Sequence, residues 1–313
     1  MVRRHLRQQK QMELVMNNSL AALSLAYSVG SRIGPVLRSS APSFDGWSIA
    51  EFARAIHGPN SKHKAIAVLV GYFDESGIGA RDKLTTVSGI VADSVIWGRL
   101  ERPWRKGLGP SGPTPGVKWF HSVACEHGEG QFARIDEPFR SALVYRLSTE
   151  LGKLPGQGFA SGVVRDDWQF APDALKRRNL NDPYFFALEL CLQQISSYSK
   201  SHCDGEPIAL VFAKQQQYQA GANRLHDFYQ SASHLHGFSG IGSISWSEPR
   251  LIVPLQAADM LAYEVYRYWL SQRGLDAAPM RPALKNIERE GQLSISFTLH
   301  DKDTLPDLLP RQL

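Results

Sequence analysis

One short apolar run limits the folds open to this chain more than any other feature. Residues 65–73 are continuously apolar, and the run ends at the tetrapeptide Asp74-Glu75-Ser76-Gly77. A run of this length is too short for a typical helix and predicts a central strand buried on both of its faces. Because α/β proteins place their sites at the carboxyl edge of the sheet, we expect Asp74 and Glu75 to lie at a functional edge. The alternative is a strand-ending turn in which Asp74 and Ser76 bond only the backbone.

The remaining pattern predicts a mixed sheet with helices on both faces. Further strands are predicted at residues 83–92, 117–121, 158–165, 208–213 and 241–247, and helices at residues 137–151, 182–198, 219–233 and 255–270. The first three strands are separated by turns, which is typical of antiparallel pairing. The later strands alternate with helices, which favours parallel pairing through right-handed crossovers. The predicted fold class is therefore α/β, with three leading antiparallel strands.

Composition excludes several classes of protein. Of the 313 residues, 43% are hydrophobic and 21% are charged, which is enough apolar content for a core and rules out intrinsic disorder. The formal net charge of +5 allows nucleic acid as a partner without requiring it. The three cysteines cannot all pair within the chain and show no CxxC spacing, so neither a disulfide framework nor a cysteine zinc site is indicated. A cytoplasmic location is expected.

The N-terminal part of the chain differs from the rest. We interpret residues 1–62 as a loosely attached extension and residues 63–313 as the main domain. The basic start of the chain is followed by an apolar stretch that Asn17 and Asn18 interrupt. This stretch is too short and too polar to span a bilayer, so no membrane segment is predicted.

A second candidate acid, Asp259, lies at the end of the segment Leu-Gln-Ala-Ala-Asp at residues 255–259. At helical spacing Asp259 falls about 100° from the centre of the apolar face, so it should border the core. We place it in the first turn of the helix, where the helix dipole favours an anion. A carboxylate that only stabilises the helix terminus is the alternative. Later in the same helix, Glu264 and Arg267 are spaced as an ordinary surface ion pair.

Asp74 and Asp259 together indicate a divalent-metal site. Mg²⁺ and Mn²⁺ prefer carboxylate oxygens and keep other coordination positions for water and substrate phosphate. With two metal ions, a site of this kind activates water and stabilises the leaving oxygen in phosphodiester cleavage. We therefore predict Mg²⁺ or Mn²⁺ as the cofactor and nucleic acid as the partner.

Four motifs in this order resemble the bacterial and phage family catalogued as domain of unknown function 3800. They are the tetrapeptide at residues 74–77, Trp119-Phe120-His121, Leu210-Val211-Phe212 and the segment at residues 255–259. The resemblance covers residues 65–300. It implies a ribonuclease-H-like fold and a metal-dependent nuclease activity, with Asp74 and Asp259 at acidic positions of the motifs.

The chain departs from the family pattern at the end of the strand predicted at residues 208–213. The resemblance implies an acidic residue there, whereas this chain has Ala213 and Lys214. Asp166 is either a substitute metal ligand or an ordinary residue where a strand exits to a loop. If Ala213 has removed a necessary ligand, the chain is instead a nucleic-acid-binding or partner-binding module of the same fold. A nucleotide-directed hydrolase in phage defence is a third alternative.

The other candidate residues have two interpretations each. Glu75 is predicted to complete the metal shell or to act from outside it. His121 is interpreted as a ligand or proton shuttle, or as a hydrogen-bonded structural residue. The basic and aromatic residues at 97–106 either follow a phosphate backbone or pack their tryptophans onto the sheet with the arginines solvated outside, and we favour packing. Tyr263 and Tyr266 either line a substrate groove or belong to the core and its rim.

Overall fold

The structure is a computed structural model that describes residues 69–308, except for residue 80 and residues 110–111, 113–115, 232–239 and 276–280. The extension predicted at residues 1–62 lies outside the described residues, as does the beginning of the first predicted strand. The described residues all belong to the predicted main domain.

The domain is built from alternating strands and helices. The strands are β1 (Leu69–Ser76), β2 (Leu84–Asp93), β3 (Gly156–Val164), β4 (Ile208–Ala213), β5 (Ile241–Ser247) and β6 (Leu293–His300). The α-helices are α1 (Ser94–Leu108), α2 (Ser122–His127), α3 (Glu137–Gly152), α4 (Asp173–Arg178), α5 (Pro183–His202), α6 (Gln216–Ser231), α7 (Val253–Gln272) and α8 (Pro282–Glu290). Short 3-10 helices span Gly130–Phe132 and Asp166–Phe170.

The strands form one six-stranded sheet in the order β5-β4-β1-β2-β3-β6. Strand β2 is antiparallel to both β1 and β3, whereas β4 is parallel to β1, β5 to β4 and β6 to β3. Three leading antiparallel strands, with the following strands parallel on the other side of β1, make the ribonuclease-H-like arrangement. The predicted fold class is therefore confirmed, and β6 extends the sheet beyond β3.

The third leading strand is β3, and the prediction of a strand at residues 117–121 is wrong. In the structure these residues are not part of the sheet. Their backbone N–H groups bond side chains instead, since the Lys118 N–H donates to Gln131 (2.8 Å) and the Phe120 N–H donates to Gln256 (3.0 Å). An apolar segment can thus be buried without a strand partner when side chains satisfy its backbone.

Strand β1 is central, and its side chains alternate between two hydrophobic cores. Val70 and Tyr72 face the core that α1, α3, α7 and α8 cover, whereas Phe73 faces the core that α5 and α6 cover. The ring of Phe73 lies over Gly89 of β2, where an added Cβ atom would stand 2.1 Å from the ring. Because helices cover both sides of β1, its sequence is apolar without alternation.

Helix α1 carries the basic and aromatic residues at 97–106. Trp97 and Trp104 are fully buried, and the Trp97 indole donates a hydrogen bond to the carbonyl of Val70 (2.9 Å). Arg99 and Arg102 are exposed on the outer side of the helix. The interpretation of packed tryptophans with solvated arginines is confirmed, and the helix itself was not predicted.

Two further observations concern membranes and thiols. Among the helices of the described ranges, none is long and apolar enough to cross a membrane. Cys125 and Cys191 are buried free thiols, and Cys203 is a partly exposed free thiol.

Candidate functional site

The end of β1 brings two acids to the carboxyl edge of the sheet. Asp74 is 7% exposed and faces the α7 side, whereas Glu75 faces the opposite side, toward the beginnings of α5 and α6. Strand pairing continues past Asp74, since Asp74 lies opposite Ser88 and Ser76 lies opposite Thr86. The acids therefore occupy the last ladder positions of β1 and not a turn that follows it.

Gly77 turns the chain immediately after these acids. Its φ angle is +74°, and an added Cβ atom would stand 1.9 Å from the carbonyl oxygen of Leu84. Its own carbonyl accepts a hydrogen bond from the Thr85 hydroxyl (3.1 Å). A side chain at Gly77 would thus push β1 and β2 apart at the edge where Asp74 lies.

Helix α7 places a third acid against the end of β1. Asp259 is 6% exposed, and its carboxylate accepts a hydrogen bond from the Ser122 N–H (2.7 Å). Because the helix begins at Val253, Asp259 lies in its second turn, so the prediction of a first-turn position is wrong. The helix dipole does not explain an acid at this position, since dipole effects fall off within the first turn.

Asp74, Glu75 and Asp259, which we call the acid cluster, affect one another's ionisation. Burial raises the pKa of Asp74 well above its usual range, and the charges of Glu75 and Asp259 raise it further. Burial raises the pKa of Glu75 to about 8, against a hydrogen bond from Gln215 that lowers it. Burial also raises the pKa of Asp259, although the charge of His121 opposes this. The structure thus brings together acids that are far apart in the sequence.

His121 lies beside the acid cluster and also caps a helix. Its Nδ1 atom accepts a hydrogen bond from the Ala124 N–H (3.4 Å) at the start of α2. Its ring lies 5.7 Å from the ring of Trp119, measured between centroids. The structural interpretation of His121 is thus supported, and its imidazole is also close enough to lower the pKa of Asp259.

Gln256 is a residue of this site that sequence reasoning missed. Its side-chain oxygen accepts hydrogen bonds from the Phe120 N–H (3.0 Å) and from the Trp104 indole (3.1 Å). With Asp259, one helical turn later, it fixes the segment that leads into α2 against α7. The sequence could have pointed to Gln256, because it belongs to the same motif as Asp259, at residues 255–259.

Glu75 lies among polar and aromatic side chains on the other face of the sheet. Its Oε1 atom is buried and has no hydrogen-bond partner among the described residues. The hydroxyl of Tyr184 is likewise buried without a partner in the described part of the chain. Burial, and then the charge of Glu75, raises the pKa of Tyr184 above its usual range. Buried oxygens normally have a hydrogen-bond partner in the protein or in ordered water, so these two atoms have unused bonding capacity.

Ala213 stands beside Asp74 in the neighbouring parallel strand. Strand β4 pairs with β1 so that Phe212 lies beside Phe73, and the next residues along the two strands are Ala213 and Asp74. Ala213 is 2% exposed and belongs to the core on the α7 side. An acid at Ala213, as the family resemblance implies, would therefore join the acid cluster.

Asp166 is placed away from the acid cluster. Ala160 of β3 is level with Asp74 across β2, two strand spacings or about 10 Å away, and Asp166 follows beyond the end of β3. The Asp166 side chain is 74% exposed and pairs with Lys83 (3.6 Å). This placement favours the interpretation of Asp166 as an ordinary strand-exit residue over a substitute metal ligand.

The acid cluster has the ligand atoms of a Mg²⁺ or Mn²⁺ site, but its side chains are not positioned around a common metal position. Among the described residues, no three His, Cys, Asp or Glu side chains are already grouped to hold a metal ion. The cluster nevertheless offers carboxylate oxygens, which these ions prefer, and a mutual repulsion that a cation would relieve.

Comparisons with known proteins add little to this geometry. No protein-family model matches the chain, and no curated protein matches it. Among solved structures, it is similar to a chain in the structure of the PCNA:RNase HII complex from Archaeoglobus fulgidus. The identity is 14% and the TM-score 0.35, over 71% of this chain and 88% of that one. The fold assignment rests on the strand order and directions.

Proposed function

We propose that this chain is a divalent-metal-dependent nuclease that hydrolyses phosphodiester bonds of nucleic acid. The observation that carries the proposal is the acid cluster at the carboxyl edge of a ribonuclease-H-like sheet. Its three acids have raised pKa values because they are buried, and Asp74 and Glu75 are also repelled by neighbouring acids. Grouped buried acids are unfavourable unless a cation compensates them. The four motifs support the further proposal that the chain is related to the family of domain of unknown function 3800.

Mg²⁺ or Mn²⁺ fits the side chains that are present. Asp74 and Asp259 would hold the ion from the α7 face of the sheet, and the unpartnered Oε1 of Glu75 offers a further oxygen from the edge. When bound, such an ion supplies a Lewis acid that polarises a phosphate group and lowers the pKa of water.

Neighbouring groups keep the acids in place and ionisable. The Ser122 N–H orients the carboxylate of Asp259 (2.7 Å), and the Glu75 N–H donates to the carboxylate of Asp74 (2.9 Å). Hydrogen bonds to a carboxylate favour its charged form and so oppose the effect of burial. His121, next to Asp259, is the imidazole available to accept or deliver a proton at this end of the site.

A second candidate function is a nucleic-acid-binding module of the same fold that has lost metal binding. Ala213 favours it, because the acid that the resemblance implies beside Asp74 is missing. In that case the affinity for nucleic acid would come from basic side chains alone.

The first test measures cleavage of single- and double-stranded DNA and RNA, and of free nucleotides, with Mg²⁺ or Mn²⁺. We expect the wild-type chain to cleave at least one polymer only when the metal is present. Asp74→Asn should lose this activity by on the order of a thousandfold, because several kcal/mol of charge stabilisation depend on the metal. It should bind nucleic acid as before, since phosphate contacts dominate affinity. The exposed Asp166→Asn is the matched control and should keep full activity.

Ala213→Asp separates the two candidate functions. Cleavage that is present only in Ala213→Asp would support the binding module, because the variant restores the missing ligand. Ala213 is buried, so circular dichroism must show that the variant is folded, and Ala213→Asn controls for the larger side chain without the charge. An absence of cleavage by every variant on every substrate would remove the nuclease proposal.

A further inference from the structure

A cavity of about 530 Å³ lies on the other face of the sheet from α7, between α4, α5 and α6. The proposed chemistry of the acid cluster does not use it. Its walls combine apolar side chains with guanidinium groups, namely Leu180, Phe185 and Leu225 with Arg177, Arg178 and Arg224. Its volume is large enough for a nucleotide-sized ligand.

The arginines of this cavity keep most of their binding capacity. Arg178 pairs with the buried Glu189 (3.0 Å), but its Nε donor is buried without an acceptor among the described residues. Arg177 and Arg224 are exposed, and neither has an ion-pair partner in the described part of the chain. Guanidinium groups beside apolar walls are complementary to a ligand that carries both phosphates and flat apolar surfaces.

Packed aromatic rings connect the cavity to the acid cluster. Phe185, in the cavity wall, lies 5.2 Å from Tyr184 and 5.9 Å from Tyr218, measured between ring centroids. Tyr184 and Tyr218 stack on each other at 3.9 Å. Burial and then the charge of Glu75 raise the pKa of Tyr184. Burial and the charge of Asp182 raise the pKa of Tyr218, and Glu75 adds a smaller effect, so Glu75 lies near this pair.

We propose that the cavity binds a segment of single-stranded nucleic acid next to the phosphate that lies at the acid cluster. Arg177 and Arg224 contact backbone phosphates, and the wall formed by Leu180, Phe185 and Leu225 packs against a base. A single strand fits better than a duplex, because the base faces of a duplex are stacked and cannot reach an apolar wall. The position of the scissile phosphate rests on the proposed function, whereas binding at the cavity can be measured without cleavage.

The experiment measures fluorescence anisotropy of a labelled short oligothymidine in EDTA over a range of NaCl concentrations. The variant Arg177→Gln/Arg224→Gln is compared with Arg99→Gln/Arg102→Gln, which removes two exposed arginines from α1 on the other face. The cavity variant should reduce the slope of log K against log[NaCl] by about 1.4, since each phosphate contact of a single strand contributes about 0.7. The α1 variant should leave the slope as in the wild type.

A second measurement tests the apolar wall. The wild type should bind oligothymidine on the order of tenfold more tightly than an abasic oligomer of the same length, because the wall contacts a base. Ala174→Leu, which fills the cavity and leaves every charge in place, should remove this preference. Circular dichroism and thermal unfolding confirm that each variant is folded.

Several results would overturn the proposal. They are equal slopes for the two double variants, no preference for bases over the abasic oligomer, tighter binding of a duplex, or displacement by polyglutamate as effective as by oligothymidine. Cavity-dependent binding without cleavage by the wild type would remove the nuclease function and keep this proposal. Cleavage by the wild type with unchanged binding in the cavity variants would keep the nuclease function and remove the proposal for the cavity.

Discussion

Helix α7 carries two buried acids with opposite surroundings. Asp259 is 6% exposed and belongs to the acid cluster, where its neighbours are the carboxylates of Asp74 and Glu75. Glu264 is 2% exposed and lies 3.0 Å from the Nε of Arg281, which also pairs with Glu126. We call Glu126, Glu264 and Arg281 the ion-pair cluster.

The two clusters differ in whether the protein itself places a permanent cation beside the buried acids. The ion-pair cluster contains its own cation. Burial raises the pKa of Glu264 to about 7, and the charge of Arg281 opposes this rise. The acid cluster consists of three acids with the imidazole of His121 beside it, and in the proposed function a bound cation compensates these acids. The prediction that Glu264 and Arg267 form an ordinary surface pair is wrong, because Glu264 is buried and its partner comes from a distant part of the chain.

The largest expected effect is on the ion-pair cluster. Arg281→Gln leaves the buried Glu264 without its cation and should lower the free energy of unfolding by about 3–5 kcal/mol. Adding Glu264→Gln to this variant should recover most of the loss, because the uncompensated charge is then gone. Urea unfolding at pH 8 measures the loss in the single variant and the recovery in the double variant. Arg289→Gln removes an exposed arginine of α8 as a control, and a loss as large as that of Arg281→Gln would contradict the comparison.

The next effect concerns the cation that the acid cluster lacks. Mg²⁺ at a hundred times its dissociation constant should raise the free energy of unfolding of the wild type by about 2.7 kcal/mol. Asp74→Asn should abolish this increase, whereas Glu264→Gln should keep it. Denaturation with and without MgCl₂ gives the result. An equal increase in the Asp74→Asn variant would place the metal elsewhere.

Without metal, the acid cluster should destabilise the fold. Asp74→Asn removes a buried carboxylate whose ionisation is opposed by burial and by the charges of Glu75 and Asp259, so it should raise the free energy of unfolding at pH 8. Activity and stability would then change in opposite directions at the same residue. Chemical unfolding in EDTA measures the change, and a loss of stability would show that Asp74 has a structural role.

The smallest effect is a pH dependence of stability. The pKa of Glu75 is about 8 in the folded chain against an ordinary value of 4.5, so the folded state binds more protons than the unfolded state between these values. Stability should therefore fall as pH rises through this window. Between pH 7 and pH 8 the loss from Glu75 should be about 1 kcal/mol. Glu75→Gln should flatten this part of the profile, and an unchanged profile would contradict the raised pKa.

Much of the sheet could be predicted from the sequence, because short apolar runs between turns are a direct signal of buried strands. The bounds predicted for residues 208–213 and 241–247 are those of β4 and β5. Strand β6 was missed, although residues 293–300 alternate between apolar and polar side chains as a half-buried strand does. Helix α1 was hidden by its many charged residues.

The site was only partly predictable for a different reason. Asp74 and Asp259 follow from their positions at the end of a strand and near the start of a helix. The roles of Gln256 and of the segment at residues 117–121 depend on contacts between distant parts of the chain, which local patterns do not contain. The same holds for the pairing of Glu264 with Arg281. Local sequence thus indicated two acids that the fold brings together, but not which buried acids lie beside a permanent cation.

The acid cluster forms only after α7 has been synthesised and has packed against β1. Asp259 comes 185 residues after Asp74, so a ribosome releases β1 long before it has made the helix that completes the cluster. Contacts between such distant segments form late, after earlier parts of the chain have folded. A nascent chain, or a fragment truncated before α7, therefore lacks the proposed cleavage site. The messenger RNA being translated would be safe from the proposed activity until synthesis has passed α7.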